Sequence, residues 1–123
     1  MTVAVRRRLR QELGIVPADL ALILPRFRYR AVAADGTVEN ELCPVYRART
    51  TDVQVSVDPA EVDQAWWMPW AELAAQADAT QADATDPLSW WAASQVQQLS
   101  ALGPDPGGWP TGAPALLPAA AAP

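Results

Sequence analysis

The sequence lacks histidine and lysine and contains one cysteine, Cys43. A single cysteine excludes an intramolecular disulfide and fits the reducing cytosol, so we expect a cytoplasmic protein. Without histidine the chain has no imidazole ligands, and one thiol cannot form a thiolate cluster for zinc or copper. Any metal that it binds is therefore expected to be a hard ion held by carboxylate oxygens.

The chain also lacks a long apolar run, and it has no basic residue after position 50. No stretch approaches the roughly 20 apolar residues that a membrane span needs, so we expect no membrane association. Residues 1–50 carry nine arginines and five acids, a net charge of +4, whereas residues 51–123 carry nine acids, a net charge of −9. The acidic half argues against nucleic acid as a partner, and the basic half could face an anionic ligand.

Helical and disordered segments are predicted at the two ends of the chain. Residues 2–13 have an apolar stripe at Val5, Leu9 and Leu13 and are followed by Gly14, which predicts a helix that ends there. From Gly103 the chain is rich in proline, glycine and alanine without an apolar period. We therefore predict one small domain over residues 1–102 and a disordered tail over residues 103–123.

A β-hairpin is predicted over residues 26–48. Arginines alternate with aromatic or small residues in the order Arg26, Phe27, Arg28, Tyr29, Arg30 and Ala31. This period of two is typical of a strand, and Ala-Asp-Gly at 34–36 is a turn signal before the returning strand VENELCPVYRA. Pro44 has no N–H to donate, so the returning strand is expected to be bulged or to lie at a sheet edge there.

The length of the hairpin loop determines which residues face each other. A two-residue loop at 35–36 would place Tyr29 opposite Leu42. A three-residue loop, with Gly36 in the left-handed conformation, would place Tyr29 opposite Glu41. We favour the second register, which puts Tyr29, Glu39, Glu41 and Cys43 on one face.

The later part of the chain is predicted to contain two further strands and two helices. Valines at alternate positions 53, 55 and 57 indicate a short strand, and EVDQAWWMPW indicates another that runs into a helix at WAELAAQA. Residues 76–85 are an exact tandem duplication, QADATQADAT, which we interpret as a loop insertion. A final helix is predicted from Pro87.

Three segments together resemble a known family. RRRLRQELGI, FRYRAVAADGTVENELCPVYRART and a late SWW are similar to type 1 isopentenyl-diphosphate isomerases. The resemblance implies an α/β (α+β) Nudix-like fold, with a mixed sheet and flanking helices. It implies a role in isoprenoid biosynthesis, the interconversion of isopentenyl and dimethylallyl diphosphates by protonation and deprotonation. It covers roughly residues 3–100 and the C-terminal half of a family member, so we expect a truncated domain.

The resemblance also implies catalytic and substrate-binding residues. Glu41, the second acid of E-N-E, is expected to act with Tyr29 in proton transfer, and Trp91 is expected to stack on the carbocation intermediate. Arg8 falls where the family has an arginine that contacts the diphosphate. Cys43 matches a non-catalytic position, because the family's catalytic cysteine lies before the part that this chain resembles.

Metal ligands are implied in the same way. Glu12 matches the ligand of a substrate-linked Mg²⁺, and Glu39 and Glu41 match two carboxylate ligands of a second divalent metal (Mn, Mg or Zn). In the family three histidines complete that second site, and they also lie before the resembling part. The 123 residues alone are therefore expected to be an inactive fragment that needs a missing N-terminal half.

Two alternatives remain open. A Nudix hydrolase acting on a nucleoside or other diphosphate would need clustered acids, but Arg8 and Gln11 stand where two of them belong. A non-catalytic module that pairs through its sheet edge with a separate N-terminal half is the second alternative.

Overall fold

The structure of the chain is a computed structural model that describes residues 2–51, 54–82 and 88–117. Position 53 of the predicted valine strand, residues 83–85 of the duplication and Pro87 lie outside these ranges. Within them the structure contains three α-helices and four β-strands, which confirms the α+β class. None of the described helices has the length and apolar character needed to cross a bilayer.

Helix α1, Thr2–Leu13, ends where the sequence predicts. Gly14 has a φ of +65°, and its N–H donates to the carbonyl oxygen of Arg10 at 3.0 Å. A glycine adopts this left-handed conformation without a steric penalty, and it therefore ends the helix. The prediction of the first helix is confirmed.

The valine-rich segment after residue 53 is not a strand in its described part, residues 54–57. Its backbone bonds to the end of α1 instead: the N–H of Ser56 donates to Leu13 O, and the N–H of Asp58 donates to Glu12 O, both at 2.9 Å. These donors are thereby satisfied without a neighbouring strand. The strand prediction is wrong for this stretch.

The four strands form two antiparallel pairs where the prediction was one mixed sheet. Strand β1, Asp19–Leu24, pairs with β4, Val45–Arg49, and strand β2, Arg28–Val32, pairs with β3, Val38–Leu42. The predicted returning strand is divided into β3 and β4 at residues 43–44, as expected from the missing N–H of Pro44. Strand β1 was not predicted from the sequence as an element of its own; its central residues are buried.

The β2–β3 hairpin has the predicted register. Tyr29 lies opposite Glu41, and the N–H of Ala33 donates to Thr37 O at 2.8 Å across a three-residue loop. Gly36 has a φ of +89°. The register expected from a left-handed glycine at this position is confirmed.

Helices α2, Trp70–Ala82, and α3, Trp90–Ser100, pack against each other around Ala77, Ala93 and Val96. The hydroxyl of Ser89 caps α3 by accepting from the N–H of Ala92 at 3.4 Å, which confirms the final helix. Residues 64–69 have no regular structure, so the strand predicted before α2 is wrong.

The duplicated segment is not a loop in its described part. Residues 76–82 continue α2, because alanine and glutamine are strong helix formers and nothing in the repeat interrupts the helix. The loop prediction is therefore wrong for these seven positions, and residues 83–85 are not described.

Residues 103–117 form what we call the C-terminal strap, in place of the disordered tail that their composition predicted. Trp109 is buried, with 6% of its surface exposed, beside Ala21, Ile23 and Leu99. The N–H of Gly112 donates to Leu22 O at 2.7 Å. One buried indole and its hydrogen bonds order a segment whose composition alone indicates disorder, whereas residues 118–123 lie outside the description.

Candidate active site

A phenol and a carboxylate meet on one face of the hairpin. The Tyr29 hydroxyl donates a hydrogen bond to Oε2 of Glu41 at 3.2 Å. The two residues are directly opposite in the β2–β3 register, so the backbone places both side chains on the same face. Glu41 is exposed to solvent. The arrangement holds a carboxylate in place while leaving it open to a ligand.

The surroundings of Tyr29 favour its protonated form. The pKa of Tyr29 is raised above its ordinary value, first by partial removal of the phenol from water and then by the negative charge of Glu41 and their hydrogen bond. The charges of Glu39 and Cys43 raise this pKa further. The strand register confirms the predicted gathering of Tyr29, Glu39 and Glu41 on one face, and the N–H of Cys43, which donates to Phe27 O at 2.7 Å, continues that pairing.

Trp91 brings helix α3 to this face. Its ring stacks on that of Tyr29, with centroids 5.5 Å apart and an angle of 18° between the planes. Trp91 is 38% exposed, so this stacking does not bury it completely. Tyr29 thereby contacts both an aromatic ring of α3 and the carboxylate of Glu41, and the face of such a ring can stabilise a cation.

Phe27 lies next to Tyr29 and was not predicted as part of the site. Its ring centroid lies 6.4 Å from that of Tyr29, and only 3% of Phe27 is exposed. Phe27 and Tyr29 are two residues apart on one strand face, and this spacing was the available signal. Phe27 supports the Tyr29 ring from the buried side.

The carboxylate pair Glu39 and Glu41 offers oxygen donors for a hard divalent ion. Both side chains are exposed on the same face of β3. The described residues contain no group of three or more acidic, histidine or cysteine side chains placed to hold a metal. Carboxylate oxygens are ligands that suit Mg²⁺ or Mn²⁺, so the pair could supply two members of a larger ligand set.

Arg8 and Glu12 form a second, separate group on α1. Nη2 of Arg8 lies 2.9 Å from Oε1 of Glu12, one helical turn away. Within the described ranges no hydrogen bond or ion pair joins them to Tyr29 or Glu41. A Mg²⁺ ion at Glu12 would have to compete with the guanidinium of Arg8. The structure thus brings the predicted residues Glu39, Glu41 and Trp91 together around Tyr29. Arg8 and Glu12 form a separate pair on α1.

An arginine-lined groove of about 380 Å³ on α1 was also not predicted. Its lining residues are Val3, Arg6, Arg7, Arg10 and Gln11. Their spacing of three or four positions along one helix face was the available signal. Three guanidinium groups in one groove suit an anion.

Comparison with known proteins decides the family. The NUDIX domain model matches residues 1–90. This chain belongs to the Nudix family. The predicted resemblance is also confirmed, because curated relatives of this Nudix protein are named isopentenyl-diphosphate Delta-isomerase.

Three such relatives show how much of the Nudix chain is shared. It is 45% identical to the isomerase of Saccharopolyspora erythraea, over 98% of this chain and 60% of the relative. It is 50% identical to that of Mycolicibacterium vanbaalenii, over 81% of this chain and 52% of the relative. It is 38% identical to that of Rhizobium rhizogenes, over 98% of this chain and 56% of the relative. The chain thus spans between 52% and 60% of the length of these relatives.

Proposed function

We propose that this Nudix chain takes part in the interconversion of isopentenyl diphosphate and dimethylallyl diphosphate. The observation that carries the proposal is the Tyr29–Glu41 hydrogen bond of 3.2 Å with Trp91 stacked on the same tyrosine. One face thereby presents a proton-transfer group and an aromatic surface for a cation. Similarity to proteins named isopentenyl-diphosphate Delta-isomerase supports the same activity.

Glu41 has the chemistry for the deprotonation step. When an acid other than Glu41 protonates the terminal alkene carbon, the π electrons of the double bond form the new C–H bond and a tertiary carbocation results. Loss of a proton from the carbon on the diphosphate side then gives the internal alkene. The carboxylate of Glu41 accepts that proton, and the electrons of the broken C–H bond form the new double bond. Tyr29 positions the carboxylate through its hydrogen bond. In the reverse direction protonated Glu41 returns the proton.

Trp91 is proposed to stabilise the cation between the two proton transfers. The negative face of an indole attracts a cation within about 6 Å, by about 2 kcal/mol or more when the site is free of water. Trp91 is 38% exposed and stacks on Tyr29, the hydrogen-bond partner of Glu41. The aromatic side chain would therefore bind the carbocation more strongly than the neutral alkene, which is the requirement for catalysis.

Divalent metals and Arg8 are proposed to hold the charged parts of the site. Glu39 and Glu41 would bind one divalent ion, and Glu12 would bind Mg²⁺ attached to the diphosphate. Such ions supply positive charge that offsets the diphosphate and the carboxylates. In the structure the guanidinium of Arg8 pairs with Glu12. When the diphosphate binds, this guanidinium would leave Glu12 and bond to a phosphate oxygen instead.

The proposal is tested by ligand binding to the chain in the presence of Mg²⁺. We would follow tryptophan fluorescence during titration with isopentenyl diphosphate and with an amine analogue that carries a protonated tertiary nitrogen at the cation carbon. We expect the cationic analogue to bind at least about tenfold more tightly. In Trp91→Leu this preference should be lost. Trp66→Leu, which replaces an exposed tryptophan that makes no ring contact with Tyr29 among the described residues, should keep it.

Turnover and specificity provide the second measurement. Any isomerisation that the chain shows should fall at least about hundredfold in Glu41→Gln, because the proton acceptor is lost. Equal affinity for the cationic analogue and for plain inorganic diphosphate would contradict the proposal. Release of phosphate from nucleoside diphosphates would instead support the hydrolase alternative.

A further inference from the structure

The hairpin has a second face, opposite the candidate site. Strand alternation puts Arg28, Arg30 and Val32 on this face, and the register sets Val32 opposite Val38. Val32 and Val38 are 58% and 49% exposed. Among the described residues neither arginine forms a salt bridge. We call these four residues the arginine–valine face.

A surface of opposite character lies in the segment before α2. Residues 61–67 have the sequence EVDQAWW, in which Glu61 and Asp63 are exposed acids. Trp66 is 66% exposed, an unusual state for an indole, which normally contributes a large buried area. We call residues 61–67 the acidic tryptophan segment.

The two surfaces complement each other in charge and in apolar character. A guanidinium can bind a carboxylate through two parallel hydrogen bonds and can also stack on an indole ring. The paired valines would cover apolar surface that is now exposed to water. Within one described chain no salt bridge joins these arginines to Glu61 or Asp63, so the complementary groups are free to meet between molecules.

We propose that two copies of this chain associate by docking the arginine–valine face of one against the acidic tryptophan segment of the other. The proposal does not depend on the activity of the candidate site. In a two-fold dimer each copy contributes both surfaces, so the same contact forms twice. The partner is assigned as a second copy because the chain itself carries the matching surface. The arginine–valine face lies in the half with a net charge of +4, and the acidic tryptophan segment lies in the half with a net charge of −9.

Charge reversal provides the test, measured by sedimentation equilibrium over a concentration series. We expect the wild-type chain to form a dimer that weakens at high salt, because its ion pairs are exposed at the rim. The double variants R28E/R30E and E61R/D63R should each weaken dimerisation at least about tenfold, since like charges then meet at both contacts. R7E/R10E, which changes the net charge as much as R28E/R30E does, should leave dimerisation unchanged.

Mixing the two disrupted variants makes the test specific. A mixed dimer pairs reversed surfaces with each other at one contact and native surfaces at the other, so both contacts become attractive again. We expect the mixture to dimerise as well as the wild type. Circular dichroism confirms that each variant is folded, and Trp66→Ala, which alters no charge, should also weaken the dimer.

Several results would overturn the proposal. They are a wild-type chain that stays monomeric at every concentration and at low salt, reversal variants that dimerise like the wild type, or a mixture that remains monomeric. Binding of a monomeric chain to vesicles of anionic phospholipid through Arg28 and Arg30 would assign this face to a lipid surface instead. An unrelated acidic protein as the occupant would likewise leave the purified chain monomeric.

Discussion

The hydroxyl group and the aromatic ring of Tyr29 make different contacts. The hydroxyl donates to Glu41, while the ring stacks on Trp91 and lies against Phe27. A phenylalanine at this position would keep the stacking and leave the carboxylate without its hydrogen bond. Tyr29 therefore joins the proton-transfer group to the aromatic surface within one side chain.

The ionisation of Tyr29 should depend on Glu41. Because the negative charge of Glu41 disfavours the phenolate, Glu41→Gln should lower the pKa of Tyr29 toward its ordinary 10.0. The pKa should stay above that value, since removal from water, the first cause of the shift, remains. The measurement is an ultraviolet titration of the phenol in a Tyr46→Phe background, because burial also raises the pKa of Tyr46. Glu39→Gln should produce a smaller decrease, and equal effects of the two variants would contradict the geometry.

The same shift makes the stability of the protein depend on alkaline pH. A raised pKa means that the folded state binds the Tyr29 proton more tightly than the unfolded state does. Its stabilising contribution is therefore fully present below pH 10.0 and is lost as the pH rises through the higher folded pKa. In the Tyr46→Phe background, Tyr29→Phe should remove this part of the pH dependence of unfolding.

Among the structural elements, the β2–β3 hairpin was the most predictable. Its register follows from local signals, the period of two along residues 26–31 and the turn glycine Gly36, and these agree with the tertiary structure. Tyr29 and Glu41 could therefore be placed together from the sequence. The stacking of Trp91 on Tyr29 depends on how α3 packs, which no local pattern determines, and Trp91 entered only through the resemblance.

The wrong predictions have two different physical causes. Alternating valines form a strand only when a neighbouring strand accepts hydrogen bonds from their backbone. Here the end of α1 accepts the hydrogen bond of Ser56 instead. The duplication in α2 was treated as an insertion although its residues favour a helix. In each case a tertiary partner or a propensity outweighed the visible pattern.

The hairpin turn can be tested through Gly36. A side chain at this position meets nothing within 4 Å, so any cost of substitution comes from its φ of +89°. Gly36→Ala should lower the free energy of unfolding by about 1 kcal/mol, because a Cβ disfavours the left-handed region. Gly36→Asn should lose less, since asparagine tolerates this region better. Urea unfolding followed by fluorescence makes the comparison, and equal losses would show that the turn conformation is not the cause.

At the scale of the whole molecule, the C-terminal strap connects parts that are distant in sequence. Trp109 contacts Trp70 of α2 edge to face, with ring centroids 4.7 Å apart, and lies in the same buried cluster as Ile23 of β1. Nη1 of Arg47 on β4 donates to the carbonyl oxygen of Pro106 at 2.7 Å. The strap thus connects the β1–β4 pair with α2 and α3, a role that its composition does not reveal.

The strap is tested by comparing two of its glycines. A Cβ on Gly112 would lie 2.7 Å from Cδ of Pro25, whereas a Cβ on Gly108 would meet nothing within 4 Å. Gly112→Ala should therefore lower the free energy of unfolding by about 1–3 kcal/mol, and Gly108→Ala should change it by less than about 0.5 kcal/mol. Trp109→Ala removes the buried indole and should cost about 3–5 kcal/mol. If residues 103–117 were a disordered tail, all three variants would unfold in urea at the same concentration as the wild type, because none of the replaced groups would contact the core.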